Sequence, residues 1–153
     1  MNDGVVVIGI GNPYRRDDGV ALEVLRGVEA LRLPGVRCLE SDGESTALCD
    51  AWTGAQLAVV IDAMRSGAAA GTLHVGTMGA DALAVHTPSG GSHALSLADA
   101  LALGEVLERL PARLLVVGVE VGEVGDGPGL SEAVAAAVAP AVRAVREACT
   151  EVA

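Results

Sequence analysis

The sequence predicts an α/β domain in three layers, α/β/α, built on a mostly parallel sheet of about five strands. Two observations carry that expectation. Short apolar runs without polar alternation, such as Val5-Val6-Val7-Ile8 and Leu57-Ala58-Val59-Val60-Ile61, read as strands buried on both faces. Between them lie stretches whose apolar residues recur at helical spacing, so strands and helices alternate along the chain. At 153 residues the chain is expected to form a single domain, 1–153, with one complete core and no need of disulfide or metal staples.

The first strand runs into Gly9-Ile10-Gly11-Asn12-Pro13-Tyr14-Arg15-Arg16-Asp17-Asp18-Gly19, and Val20, Val24, Leu25, Val28 and Leu31 then mark a helix. Gly9 and Gly11 are expected to shape a tight strand-to-helix corner. Val36 to Leu39 reads as the second strand, and Ser45 to Trp52 as a short helix opened by the turn-forming Asp42-Gly43. Leu57 to Ile61 is the most strand-like run and ends at Asp62; Thr72 to Val75 is a shorter strand. A loop from about Met78 to Ser92 follows, closed by His93, and loops of that length in compact domains are more often functional than idle. Ala100, Leu103, Val106, Leu107 and Leu110 give the next helical stripe, with Ser96 and Asp99 spaced as a capping box and Pro111 as its stop. Leu114 to Val119 is another buried strand, and Val134, Val138, Val142 and Val145 define a last helix containing Pro140, a residue that removes one helical hydrogen bond and favours a kink.

Composition excludes several roles. The chain is 51% hydrophobic, yet its apolar runs are broken well short of the ~20 residues a bilayer helix needs, so no membrane association is expected. A formal net charge of -10 and only ten basic residues argue against nucleic acid or an anionic membrane, and Tyr14 and Trp52, the sole aromatics, offer little for base stacking. Cys38, Cys49 and Cys149 form no CxxC pair and no zinc spacing, which suits reduced thiols in a reducing compartment. The N-terminus has no basic region followed by an apolar stretch and cleavage site, so the expected location is cytoplasmic.

In α/β sheets ligands bind at the carboxyl ends of the strands. Asp17 and Asp18 follow the first strand, Asp42 the second and Asp62 the third, while His93 enters a helix, so all can meet at one crevice. Carboxylates and an imidazole suit zinc, nickel or a similar divalent ion. Each also has a plainer role. Asp17 is placed as an N-cap, Asp18 favours the helix dipole, Asp42-Gly43 suffices as a turn, and His93 serves as a helix-start residue; His74 in a strand and His86 in a loop read as structural. Asp62 is harder to dismiss, because a carboxylate directly after five apolar strand residues is costly to bury without a partner. The opening Gly-x-Gly lacks the third glycine of the dinucleotide fingerprint, and Asp17 and Asp18 repel the pyrophosphate that such a loop holds. No Walker motif, Gly-x-Ser-x-Gly elbow or His-Glu-x-x-His is present.

Gly9-x-Gly11-Asn12 with Asp17-Asp18-Gly19, Asp42-Gly43, Val60-Ile61-Asp62-Ala63, His93 followed by Leu97-Ala98-Asp99-Ala100-Leu101, and Leu115-Val116-Val117-Gly118-Val119 together resemble the hydrogenase maturation endopeptidases, which trim nickel-iron hydrogenase large subunits. The resemblance spans nearly the whole chain; its motifs are specific together and not singly. It implies a twisted, largely parallel sheet of phosphorylase/hydrolase-like type and an endopeptidase, grouped with aspartic-type proteases, that removes a C-terminal extension from the large-subunit precursor. The implied metal contacts are Asp18, Asp62 and His93, reading nickel supplied by the precursor, with no permanent cofactor; Asp42 is a further acidic position near the cleft. Two departures stand out: Asp18 replaces a frequent Glu, one methylene longer, and Gly43-Glu44-Ser45 stands where Gly-Gly-Thr is common. No Asp-Thr-Gly or Asp-Ser-Gly supports a pepsin-like dyad. The rival readings are a non-catalytic nickel-sensing chaperone of the immature subunit and, last, a nucleotide-binding module.

Overall fold

Apolar runs that lack alternation have to be covered on both faces, and the computed structural model, which describes residues 4–11, 19–77, 92–122 and 130–152, meets that demand with helices on either side of one sheet. The elements are β1 (Val5–Ile10), α1 (Val20–Ala30), β2 (Val36–Ser41), α2 (Ser45–Trp52), β3 (Leu57–Met64), β4 (Leu73–Thr77), α3 (Ser92–Leu107), β5 (Leu114–Glu120) and α4 (Glu132–Val152). The sheet order is β2-β1-β3-β5-β4. β1 pairs parallel with β2 and β3, and β3 with β5; edge strand β4 runs antiparallel to β5. The expected three-layer, mostly parallel α/β/α fold is present.

Strand parity sorts the core into two slabs. Val5 and Val7 of β1, Val59 and Ile61 of β3, and Val117 and Val119 of β5 pack under α1 and α4. Val6, Ile8 and Ile10, with Ala58, Val60 and Val116, pack under α2 and α3. Gly9 sits inside β1, facing α1: a Cβ there would come within 3.0 Å of the Ala21 carbonyl oxygen and 3.2 Å of the Leu25 Cβ. Its part is therefore to let the helix lie close on the strand rather than to form the corner after it.

Several boundaries differ from expectation, each for a physical reason. Gly19, not Asp17, is the N-cap of α1, and it supplies no side-chain cap. β3 continues through Asp62 to Met64 because β5 pairs with it along that whole stretch. α3 starts at Ser92, so Ser96 and Asp99 lie inside it and form no capping box. α3 ends at Leu107, ahead of Pro111: Glu108 takes a left-handed φ of 56°, and the Arg109 amide closes on the Gly104 carbonyl at 2.7 Å. Of the expected stripe Ala100 is buried and Leu103 packs half-buried against the core, while Val106 is 80% exposed and Leu107 and Leu110 are exposed; Leu97 and Leu101 supply the rest of the buried face. α4 runs unbroken through Pro140.

Candidate functional site

The parallel register lines up one row of residues across the carboxyl edge of the sheet. Ile10 pairs with Ser41, Gly9 pairs with Ile61 so that Ile10 comes level with Asp62, Asp62 pairs with Gly118, and Gly118 pairs with His74. This row shares the parity of Ile8, Val60 and Val116, and so belongs to the face covered by α2 and α3. Asp62 occupies its centre, 4% exposed, with Oδ1 accepting from the Ala63 amide at 2.8 Å. This buried carboxylate lies near the carboxyl end of an otherwise apolar strand, the end of an α/β sheet at which ligands generally bind.

The chain direction of α3 brings His93 to the same edge. Past the end of α3, Ala112 donates to Ala55 and Arg113 accepts from Ala58, both at the amino end of β3. At 16 residues, α3 is about 24 Å long, so its first turn, with His93 at the second position, lies toward the carboxyl edge on the Asp62 face. Asp42 follows β2 at that edge, where its Oδ1 accepts from the Glu44 amide at 3.0 Å, a turn-forming bond that realises the plainer reading of this residue. Glu44 in turn caps α2, its carboxylate accepting from the Ala47 amide at 2.7 Å. Beside Asp42 opens a cleft of about 500 Å³, lined by Ile8, Gly11, Leu39, Ser41 and Leu48 among others. Asp17 and Asp18 lie outside the described residues, as do His86 and the loop up to Gly91. Among the described residues no three His, Cys, Asp or Glu side chains assemble as a metal site; of the set Asp18, Asp62 and His93, only the side chain of Asp62 is described.

A second acidic position at this edge escaped the sequence reading. Glu120, the last residue of β5, is 2% exposed and pairs by register with Met64. Its Oε1 accepts from Ser66 Oγ at 2.7 Å and lies 3.1 Å from His74 Nε2, while Oε2 accepts from the Ser66 amide at 2.9 Å. Burial pushes this carboxyl up, but the hydrogen bonds from Ser66 and His74 and from the Ser66 and Gly67 amides outweigh it and hold the group below its ordinary value. The signal was available: Glu120 follows an apolar run just as Asp62 does. His74 reads as structural from the sequence, and its imidazole stands against the Glu120 carboxylate.

The cysteines are free, as expected, with Cys49 and Cys149 buried and Cys38 half-buried. Burial raises all three thiols, and Cys149, further raised by nearby Cys38, is pushed up to about 11. A nucleophilic cysteine needs the opposite shift. Ellman's reagent at pH 7 is therefore expected to label Cys49 and Cys149 of the native protein far more slowly than those of the unfolded chain. Labelling of either at the rate of a free thiol contradicts this assignment.

No helix among the described residues is long and apolar enough to cross a membrane. No curated protein matches this sequence at a significant level. Solved structures do. Hydrogenase maturating endopeptidase HybD from E. coli superposes with a TM-score of 0.86 at 24% identity, covering 97% of this chain and 93% of that one. An E. coli endopeptidase solved in solution gives a TM-score of 0.84 at 26% identity over 97% and 93%. The [NiFe] hydrogenase maturation protease HybD from Thermococcus kodakarensis gives 0.78 at 24% over 95% and 99%. The family model for hydrogenase maturation protease matches residues 34–148, more than half of the chain, a span that holds Asp42, Asp62 and the whole of α3. The chain belongs to the hydrogenase maturation protease family.

Proposed function

We propose that this protein is an endopeptidase that removes the C-terminal extension of a nickel-loaded hydrogenase large-subunit precursor, with the nickel already in that precursor as its recognition element. The observation that carries the reading is the seating of Asp62, buried at the centre of the carboxyl-edge row on the face to which α3 brings His93. Family membership supplies the class of reaction. Asp18, Asp62 and His93 are the residues assigned to the precursor's metal, and Asp42 is assigned to the cleft margin.

In this account the protein contributes position first. Docking the precursor's metal against a carboxylate held by its own strand fixes the scissile bond relative to the cleft, converting an encounter into an oriented complex. A carboxylate at the edge then accepts a proton from the attacking water, and the departing amine takes a proton as the peptide bond breaks. The apolar wall of the Asp42 cleft, with Ile8, Leu39 and Leu48, suits an aliphatic side chain of the tail. Incubation of purified protein with nickel-loaded precursor, followed by intact-mass measurement, is expected to show loss of one C-terminal peptide. Stable association with the tail retained would instead indicate the chaperone reading.

A further inference from the structure

The connection between β3 and β4, residues 65–72, begins three residues after Asp62 and is hung at both ends on one residue. Its start is held by the Glu120 carboxylate through Ser66 Oγ and the Ser66 amide. Its end is held by the Glu120 backbone: the Gly71 amide donates to the Glu120 carbonyl at 2.8 Å, and the Glu120 amide donates to the Thr72 carbonyl at 2.8 Å. The next amide, Val121, donates to the Met64 carbonyl at 3.0 Å, and His74 Nε2 closes the set on Oε1. Met64 lies across Gly118, where any Cβ would collide with its Sδ, so its side chain covers the sheet between Asp62 and His74. By register the Glu120 backbone stands about 8 Å from that of Asp62, one strand across and two residues on. A charged group 2% exposed has to be fully hydrogen-bonded to persist, and among the described residues its side-chain partners Ser66 and His74 lie in the 65–72 connection and in β4.

We infer that Glu120 is a positioning residue: it clamps the 65–72 connection onto the carboxyl edge and so fixes the end of β3 that carries Asp62. The inference rests on the proposed processing reaction for its kinetic consequence, whereas the clamp itself is open to an independent measurement. Glu120→Ala releases Ser66 and His74 together, while Ser66→Ala removes a single hydroxyl and leaves the fold intact.

Hydrogen exchange by mass spectrometry is expected to show amides of segment 65–72 exchanging at least about tenfold faster in Glu120→Ala than in wild type, with β1 unchanged. In the processing assay both variants are expected to lose kcat, roughly 10- to 100-fold for Glu120→Ala, with KM within about threefold, as displacement of a reacting group demands. Ser66→Ala is expected to add little in the Glu120→Ala background, since both act through one contact. Unchanged exchange in segment 65–72 overturns the clamp. A folded Glu120→Ala protein with wild-type kcat, or independent multiplying effects of the two substitutions, overturns the positioning role. Failure of wild type itself to process refutes the proposed function and leaves the exchange result to decide the clamp.

Discussion

Asp62→Asn is expected to abolish processing of the nickel-loaded precursor, by roughly 10²–10⁴-fold in kcat, while leaving the fold unchanged. The substitution keeps the size of the side chain and an oxygen to accept from the Ala63 amide, a bond of 2.8 Å. It removes the negative charge that the proposed reading assigns to the precursor's metal. Charge at a position only 4% exposed is held at a cost in desolvation, so its loss does not weaken the fold, and the melting temperature should stay within about 4 °C of wild type. Processing at the native rate contradicts the role given to Asp62. A collapse in melting temperature shows instead that the carboxylate is structural. His93→Ala carries the same kinetic expectation.

The largest stability effect is expected from Trp52→Ala. This is one of two aromatic residues in a chain without phenylalanine, and its ring is 0% exposed between α2 and the sheet. Its indole Nε1 donates to the Arg109 carbonyl at 2.8 Å, tying α2 to the segment that leads into β5. Truncation removes the ring, opens a cavity among Val, Leu and Ala side chains, and leaves that carbonyl without its donor. The combined cost is about 3–5 kcal/mol. It corresponds to a fall in melting temperature of roughly 6–20 °C, measurable by circular dichroism. Trp52→Phe, which keeps most of the ring and loses the hydrogen bond, should fall between. A shift below about 2 °C for Trp52→Ala would show that this layer contributes little to stability.

The layers were legible in the sequence because they depend on local pattern. Ser45–Trp52 forms a helix with the expected limits, and Val5, Leu57 and Leu114 open buried strands as their apolar runs require. The direction of β4 was not legible, since Leu73–Thr77 pairs with β5, a partner some forty residues away, and nothing local encodes that register. The same distance hid Glu120. Its contacts, Ser66 and His74, lie 54 and 46 residues earlier, and a lone histidine in a short strand gives no hint of a carboxylate beside it. The buried seat of Asp62 was legible because its cost is local: five apolar residues precede it. Ser96 and Asp99 misled for the converse reason. Their spacing fits a cap, but α3 had already begun at Ser92.

Gly9 allows α1 to close on β1, and Asp62 sits in the central position of the row at the carboxyl edge. Ser41, followed by Asp42, stands at one end of that row, and His74, in contact with Glu120, at the other.

The central claim is that nickel carried by the precursor licenses cleavage. The direct measurement is intact mass of the large-subunit precursor, prepared with and without nickel, after incubation with the wild-type protein. The account predicts loss of a single C-terminal peptide from the nickel-loaded form and an unchanged mass for the nickel-free form. An unchanged mass in both, or equal cleavage of both, contradicts it.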